Sequence, residues 1–527
     1  MHLVFNSIII SLISLLPAII CYLLYISIDP LSLQDEHGNK ISSGPRGIPI
    51  LGSFPFLTKY PELTLNRWAK SFGSLYSIYL GNQLFMIISD PVVAKDLIVN
   101  NGSTFSGRKE MFIKSQIVFA GRGITATPYN DTWRKHRRIA FKWLNQNAVD
   151  SYTDVLDREA SVLLKSLWDE SKKGRLPINP QVLGLSCSPH AGRCSLNNML
   201  TITFGTRTDS IHDSLVQTAL RLSRAFMNCT GPMSNLVDFI PLLQRLPLPI
   251  IHRAKNLHND LVETYGGLIK MVEGDMASGI DVKDCLAKTM LEIRDEEQLD
   301  HLDMAILASA FMIGGVETTA AVMQWFSALI PAYPDIQQKS HEELDRVVGR
   351  DRLPTIEDEP NLPYCHAIVK EVERCYNPFW LGTPHTVTSN FVYQGKFIPK
   401  DTVMVLNTWT MHHDENRFKN PEIFDPERYL NDSLTSSQSS NLSDPSQRDH
   451  WMFGAGRRIC PGILVAEREI WLTISRMLWA FQMSEVPGQK IDLKEYDGKS
   501  GRSPLPFQIM IQARGESVVK ILEGIEG

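Results

Sequence analysis

Positive charge is not in excess in this chain. Across 527 residues, 53 Lys and Arg stand against 58 Asp and Glu, a formal net charge of −5. Nucleic-acid binders usually carry a basic excess, so that class is set aside. The eight cysteines fall at no regular spacing, which excludes a disulfide-stapled scaffold. Cys365 and His366 are adjacent, but no second pair completes a zinc-type ligand set. No Gly-x-Gly-x-x-Gly follows a strand-like run, so the chain has no nicotinamide or flavin fingerprint of its own. Charge is missing altogether from residues 3–28. A helix of that length spans ~39 Å, enough for a bilayer core of ~30 Å. No basic segment precedes it, which argues against a cleaved signal peptide. A transmembrane anchor over residues 1–28 is expected.

What the chain does have is Phe453-Gly454-Ala455-Gly456-Arg457-Arg458-Ile459-Cys460-Pro461-Gly462. Glycines permit positive φ and let backbone N–H groups approach one atom closely. N–H groups and cations favour a thiolate over a thiol. A lone cysteine in a tight loop is more often inert, but ten residues of this pattern reverse that weighting. An apolar, helix-like run over 463–480 would lie beside whatever Cys460 holds.

Two more stretches stand out. Glu371 and Arg374 are three apart on a helical run that starts near Asn361, so they share a face. Gly314-Gly315-Val316-Glu317-Thr318-Thr319 interrupts an otherwise apolar helical run over 299–330. Paired glycines, an acid and two hydroxyls oppose helix propensity in a buried helix. Violations of that kind are expected at functional sites.

Together these residues resemble the cytochrome P-450 superfamily of haem-thiolate monooxygenases over roughly residues 44–515. The cysteine loop matches F-x-x-G-x-R-x-C-x-G at every fixed position, and E-x-x-R and G-G-x-E-T-T match as well. The resemblance implies a mostly α fold with a small β region behind an N-terminal transmembrane helix. It implies a proline-rich hinge over 29–52 and one haem domain over 53–527. It also implies haem b, with Cys460 as axial thiolate donating electron density that favours O–O cleavage. Phe453, Gly454 and Arg458 would contact the haem, Trp133 and Arg137 would bind a propionate, and His385 would meet another. Arg428 would close a buried triad with Glu371 and Arg374. Glu317 and Thr318 would route protons to dioxygen. Gly314 and Gly315 would leave it space.

By the same resemblance, electrons come from NADPH through a separate cytochrome reductase, with cytochrome b5 as a second candidate donor. Arg134, Lys135, Arg138 and Arg457 form either a docking patch for that acidic partner or a solvated face. The haem domain would lie on the cytosolic side of the endoplasmic reticulum membrane. Two other classes stay open: a haem-thiolate isomerase or dehydratase, and a haem carrier without turnover. Neither would need the acid–alcohol pair.

Along its length the chain is similar to fungal members that hydroxylate small phenolic compounds, such as phenylacetate hydroxylases and the m-cresol-type hydroxylases of patulin biosynthesis. A pocket is expected from residues 112–124, with Phe112, Ile117, Val118, Phe119 and Ile124 as candidates. Residues 311–315, Leu381 and Phe507 would complete it. Lys114 or Arg122 would serve a carboxylate only if turned inward. Other polyketides, terpenes and fatty acids are the alternative substrates. Residues 182–194 have no helical period and read as a surface insertion ahead of a helix starting at Ser195. The serine-rich 431–447 stretch reads as a mobile loop.

Overall fold

The computed structural model describes residues 31–179, 189–231, 233–497 and 500–526. Ten helices of ten residues or more carry the architecture among them: α1 Pro61–Phe72, α2 Asp131–Lys142, α3 Thr153–Glu170, α4 Pro189–Phe204, α5 Ser214–Cys229, α6 Pro249–Ala277, α7 His301–Leu329, α8 Pro334–Val347, α9 Pro363–Cys375 and α10 Ile463–Ala480. The expected membrane anchor lies outside the described residues.

Helix α7 is the axle. Asp300 caps it and Asp303 answers in a reciprocal capping box, which satisfies two orphan N–H groups at the helix start. Its side chains are apolar on all faces and buried along most of its length. Residues 301–332 are long and apolar enough to cross a membrane, yet they form the protein core. Helices α4, α5, α6 and α10 pack around α7. Gly315 makes one of these contacts close: a Cβ there would stand 2.4 Å from the Met199 sulfur of α4.

A five-stranded sheet flanks the helices. Strands β1 Leu75–Leu80 and β2 Gln83–Ile88 form a hairpin turning at Gly81-Asn82, the glycine–asparagine pair between two apolar runs being a turn signal. Strand β2 pairs in parallel with β5 Val403–Leu406, which pairs antiparallel with β4 His385–Thr386. At the far edge, β4 pairs with β3 Gly107–Arg108 and sets Arg108 directly opposite His385. The expected hinge is stitched to this sheet over its described part. Ser77 N–H donates to the Ser43 carbonyl at 3.1 Å and Gly81 N–H to the Leu51 carbonyl at 3.2 Å.

Two expectations need correction. Residues 189–194 are not an irregular insertion: α4 begins at Pro189 and continues through them. His190, Ala191, Arg193 and Cys194 are buried there, and Arg193 donates to the Thr208 carbonyl at 3.0 Å. The rest of that expected insertion, residues 182–188, lies outside the described residues. The serine-rich stretch is folded rather than loose. Thr435 caps a short helix over Ser436–Ser439, and Ser436 Oγ donates to Asp449 at 2.7 Å.

Helix α9 holds the second motif. Glu343 of α8 accepts from Tyr364 and Cys365 N–H, both at 2.9 Å, and so caps α9. Cys365 is spent in this packing, and among the described residues no His, Cys, Asp and Glu cluster could hold a metal ion. At the other end of α9, Arg374 grips Glu371 through Nε and Nη2, both at 2.7 Å. Arg428 Nε approaches the same carboxylate at 3.3 Å, closing the expected triad. Arg374 also donates to the His412 carbonyl at 2.7 Å. His412 donates from Nδ1 to the Arg374 carbonyl at 3.0 Å and accepts the Trp451 N–H on Nε2 at 2.7 Å. The triad is thereby wired to the stretch of chain that enters the cysteine loop.

Burial pushes five histidines below their usual range: His412 and His385 well below, His136 less far, His341 to about 4 and His413 to about 3. Burial also pulls on His450 and His366, but acidic neighbours outweigh it and raise both. A depressed histidine is neutral when folded and takes a proton when unfolded. Its stabilising effect is full above the unfolded value near 6.5 and is lost as pH falls towards the folded value. Each such group weakens folding by up to ~1.4 kcal/mol per pH unit in that window. Three buried carboxyls work the other way: burial raises Glu467 and Glu469 to about 7 and Asp238 to about 6, so with His450 and His366 five groups that bind protons more tightly when folded stand against the five depressed histidines. Thermal melts at pH 7.5, 6 and 5 are therefore expected to show a nearly level midpoint; a steep fall below pH 6.5 would contradict this balance and show that the histidines dominate.

Candidate functional site

The cysteine loop is held open by two positive-φ glycines, Gly454 at 71° and Gly456 at 63°. At Gly456 a Cβ would lie 2.4 Å from the Ile98 carbonyl oxygen, so no larger residue fits. Cys460 N–H donates back to the Phe453 carbonyl at 2.9 Å and closes the loop. Burial pushes the Cys460 thiol up, while the Gly462 N–H and the Arg137 cation pull it down. The pull expected from the two arginines inside the loop does not arise. Arg457 turns outward to the Tyr129 hydroxyl at 3.0 Å, and Arg458 turns away to other carbonyls.

Above the thiol lies a cavity of about 330 Å³. Cys460, Phe453 and Gly454 line one side, and Gly314, Gly315 and Thr318 of α7 line another. Gly314 faces open space, whereas Gly315 is dictated by the contact with Met199; only the first serves to leave room beside the helix. Thr318 lines the cavity and its hydroxyl donates to the Gly314 carbonyl at 2.7 Å. Glu317 does not line it. It is fully buried on another face of α7, 3.1 Å from Arg224 of α5, which also reaches Asp497 at 2.6 Å.

One edge of the cavity is cationic. Arg108, Arg137 and Arg458 all line it, with His385 beside them. Their hydrogen bonds go to backbone carbonyls: Arg108 to Pro384 at 3.2 Å, Arg137 to Ile459 at 2.8 Å, and Arg458 to Ser106 at 2.9 Å. Arg108 Nε has no partner among the described residues. Burial, then Arg458 and Arg137, push Arg108 well below its usual range. Burial and Arg137 likewise bring Arg458 down to about 9. A guanidinium does not give up its proton in a protein, so these depressions mark positive charge lacking an anion. A flat group that carries carboxylates on one edge and takes a thiolate axially fits this arrangement, and haem b is such a group.

The expected contacts divide by what the side chains already do. Trp133 lines the cavity, but its one donor is taken by the Ile124 carbonyl at 3.1 Å. It serves as a floor for Arg458, whose guanidinium lies 4.1 Å from the ring centroid. His385 donates through Nδ1 to the Phe105 carbonyl at 2.8 Å. Its other nitrogen can give a hydrogen bond to a carboxylate only when protonated, which a bound anion favours. No sequence motif singles out Arg108. Its place depends on pairing with His385 across the sheet, which no local pattern announces.

The rest of the cavity wall is mostly apolar. Phe119, Ile124, Phe226, Phe311, Ile313 and Leu381 contribute to it. Phe112, Ile117 and Val118 do not line the cavity, and Phe507 packs in the main core instead. Phe119 and Phe226 meet with ring centroids 5.1 Å apart. Of the two cations weighed for a carboxylate, Arg122 faces away, fixed to Asp300 at 2.7 Å and Asp303 at 2.9 Å. Lys114 lines the cavity, its Nζ 5.8 Å from the Phe226 ring centroid.

The model of the cytochrome P450 family matches residues 42–511. The chain is 31% identical over 499 residues to the cytochrome P450 monooxygenase polD of Polytolypa hystricis, covering 93% of each chain. It is 32% identical over 515 residues to the cytochrome P450 monooxygenase verL of Clonostachys rogersoniana, covering 95% of this chain and 92% of the relative. To the cytochrome P450 monooxygenase fogE of Aspergillus ruber it is 29% identical over 516 residues, covering 94% and 93%.

Proposed function

The chain belongs to the cytochrome P450 family of monooxygenases, and on that premise we propose that it hydroxylates a small aromatic substrate of the m-cresol or m-hydroxybenzyl alcohol type. We assign Cys460 as the residue whose thiolate would hold the iron of haem b, and Arg108, Arg137 and Arg458, with His385, as the edge that would hold its carboxylates. The observation that carries the reading is the cavity itself, with the thiol on one side and aromatic side chains converging from the loop, α5 and α7. Bound haem supplies dioxygen activation, assisted by electron donation from the thiolate. The protein's part is to seat the ring, exclude bulk water and bring protons.

Phe119, Phe226 and Phe311 reward a flat ring, at ~25 cal/mol per Å² of buried area and ~0.5–1.5 kcal/mol for a well-placed aromatic contact. Thr318 stands on the cavity wall with a hydroxyl that can be released from Gly314 to hold a proton donor. Glu317 is the acid behind it, paired with Arg224. A Thr318→Ala variant is expected to keep its haem and CO-bound spectrum while product formed per NADPH falls by ~10-fold or more. Unchanged coupling would remove Thr318 from the proton route.

Electrons are assigned to NADPH through a separate reductase, with cytochrome b5 as a second donor. Arg134 and Arg457 support a docking face: both are exposed, with guanidiniums 5.0 and 5.6 Å from the Tyr129 ring centroid. Arg138 contributes less, since the Glu297 carboxylate pairs with it, and Asp131 offsets part of Arg134 at 3.1 Å; Lys135 donates only to the Glu297 backbone carbonyl. The uncharged 3–28 stretch supports placement on the endoplasmic reticulum membrane, and the likeness to fungal relatives supports a role in secondary metabolism, patulin formation being one candidate setting.

The test is a substrate-difference spectrum of purified enzyme with m-cresol, m-hydroxybenzyl alcohol, a terpene and a fatty acid, followed by turnover with reductase and NADPH. Binding and oxidation of the phenols support the reading. Oxidation of only the terpene or fatty acid would overturn the substrate and leave the monooxygenase. An isomerase or a carrier would consume no NADPH.

A further inference from the structure

The cavity contains a cation that the propionate edge does not use. Lys114 sits on the helical turn Phe112–Val118, in the loop between the sheet and α2. Its ammonium lies 5.8 Å from the Phe226 ring centroid of α5, and Phe119, Phe311 and Met227 line the same cavity. No carboxylate among the described residues pairs with it. Asp238 also lines the cavity, but it accepts the Ile113 N–H at 2.8 Å and holds the turn in place. The charged neighbour that acts on Lys114 is Arg108, of the same sign. Arg137 and Arg458 act on Arg108, not on Lys114. The contact with Phe226 puts Lys114 at the aromatic wall of the cavity, with Arg108 of the cationic edge as its charged neighbour.

Burying a charge without a partner is costly, and burial brings this ammonium down to about 7. The ring beneath it returns only ~0.5–2 kcal/mol as a cation–π contact. A lysine in this wall makes physical sense when something anionic enters the cavity with the ligand.

Resting on the small-aromatic reading above, we infer that Lys114 docks a carboxylate carried by the aromatic substrate. The ring then lies against Phe119, Phe226 and Phe311, and the ammonium fixes which end of the molecule faces away from the cysteine loop. This narrows the small-aromatic reading towards rings that carry a carboxylate, with neutral phenols as the weaker ligands, and gives the cavity an orientation device that apolar side chains cannot supply.

The test compares 3-methylbenzoate with its neutral isostere 3-methylbenzamide and with m-cresol, by spectral titration of the haem-loaded enzyme. Wild type is expected to prefer the carboxylate over the amide by about 10- to 100-fold, the value of a charge-assisted hydrogen bond. In Lys114→Met that preference is expected to vanish while haem content and the CO-bound band are retained. Lys114→Arg should restore part of it. Loss of haem in Lys114→Met would instead place the lysine on a propionate and overturn the assignment. Equal binding of acid and amide by wild type would also overturn it. If m-cresol bound and was hydroxylated while the carboxylate was ignored, the small-aromatic reading would stand and the Lys114 role would fall. If no small aromatic bound, both would fall.

Discussion

Replacing Cys460 with serine is expected to abolish the ~450 nm band of the reduced, CO-bound protein, the signature of thiolate-ligated haem. The loop delivers this one sulfur to the cavity, and its backbone closure from Cys460 N–H to Phe453 does not depend on the side chain. The variant should therefore fold and fail as a ligand. Serine is a far weaker acid than cysteine, and burial already works against an anion at this position. Neither the Gly462 N–H nor Arg137 can offset that for an alkoxide. Monooxygenase turnover should drop to background. The check is a CO-difference spectrum beside a total haem assay. Survival of the band would show that another residue holds the iron.

The second large effect is expected from Glu371→Gln. Glu371 and Arg374 are fully buried, and the carboxylate also receives the Asp425 N–H at 2.9 Å. Removing one charge leaves Arg374 unpaired in the interior, which typically costs ~3–5 kcal/mol. Total stabilities are only ~5–15 kcal/mol, so much of the protein should unfold or lose haem at growth temperature. Arg428→Met should cost less, because Arg428 is partly exposed and stands farther off, at 3.3 Å. Chemical denaturation with haem content per chain would measure both. A Glu371→Gln variant within ~1 kcal/mol of wild type would show that the triad is a surface-like pair despite its burial.

Features that depend only on neighbours along the chain are legible in the sequence. The cysteine loop, the Glu371–Arg374 pair and the Gly81-Asn82 turn are all of that kind. Features made by distant segments are not. Arg108 becomes part of the site only when its short strand meets His385. Glu317 carries the right chemistry for a proton relay, but its Arg224 partner comes from another helix, and no local spacing reveals it. Residues 189–194 look irregular because proline and glycine interrupt their pattern, and tertiary burial of Cys194 and Arg193 overrides that local preference. Apolar Phe507 suits a pocket wall and a core equally, and the core takes it. Lys114 could turn either way, and packing against Phe226 turns it to the cavity.

The sheet also sets a clock on biosynthesis. Strand β2 has its inner edge covered by β5, with Phe85 opposite Val403, and 318 residues separate the two (403 − 85). At ~5–20 residues per second, the ribosome needs roughly 15–60 s to deliver that partner. During this time the β1–β2 hairpin has an open edge bearing Phe85, Met86, Ile87 and Ile88, all of which end up fully buried. Such an edge is a template for wrong pairing. Yield of folded protein should therefore depend on what shields residues 83–88 while the rest of the chain is still being made.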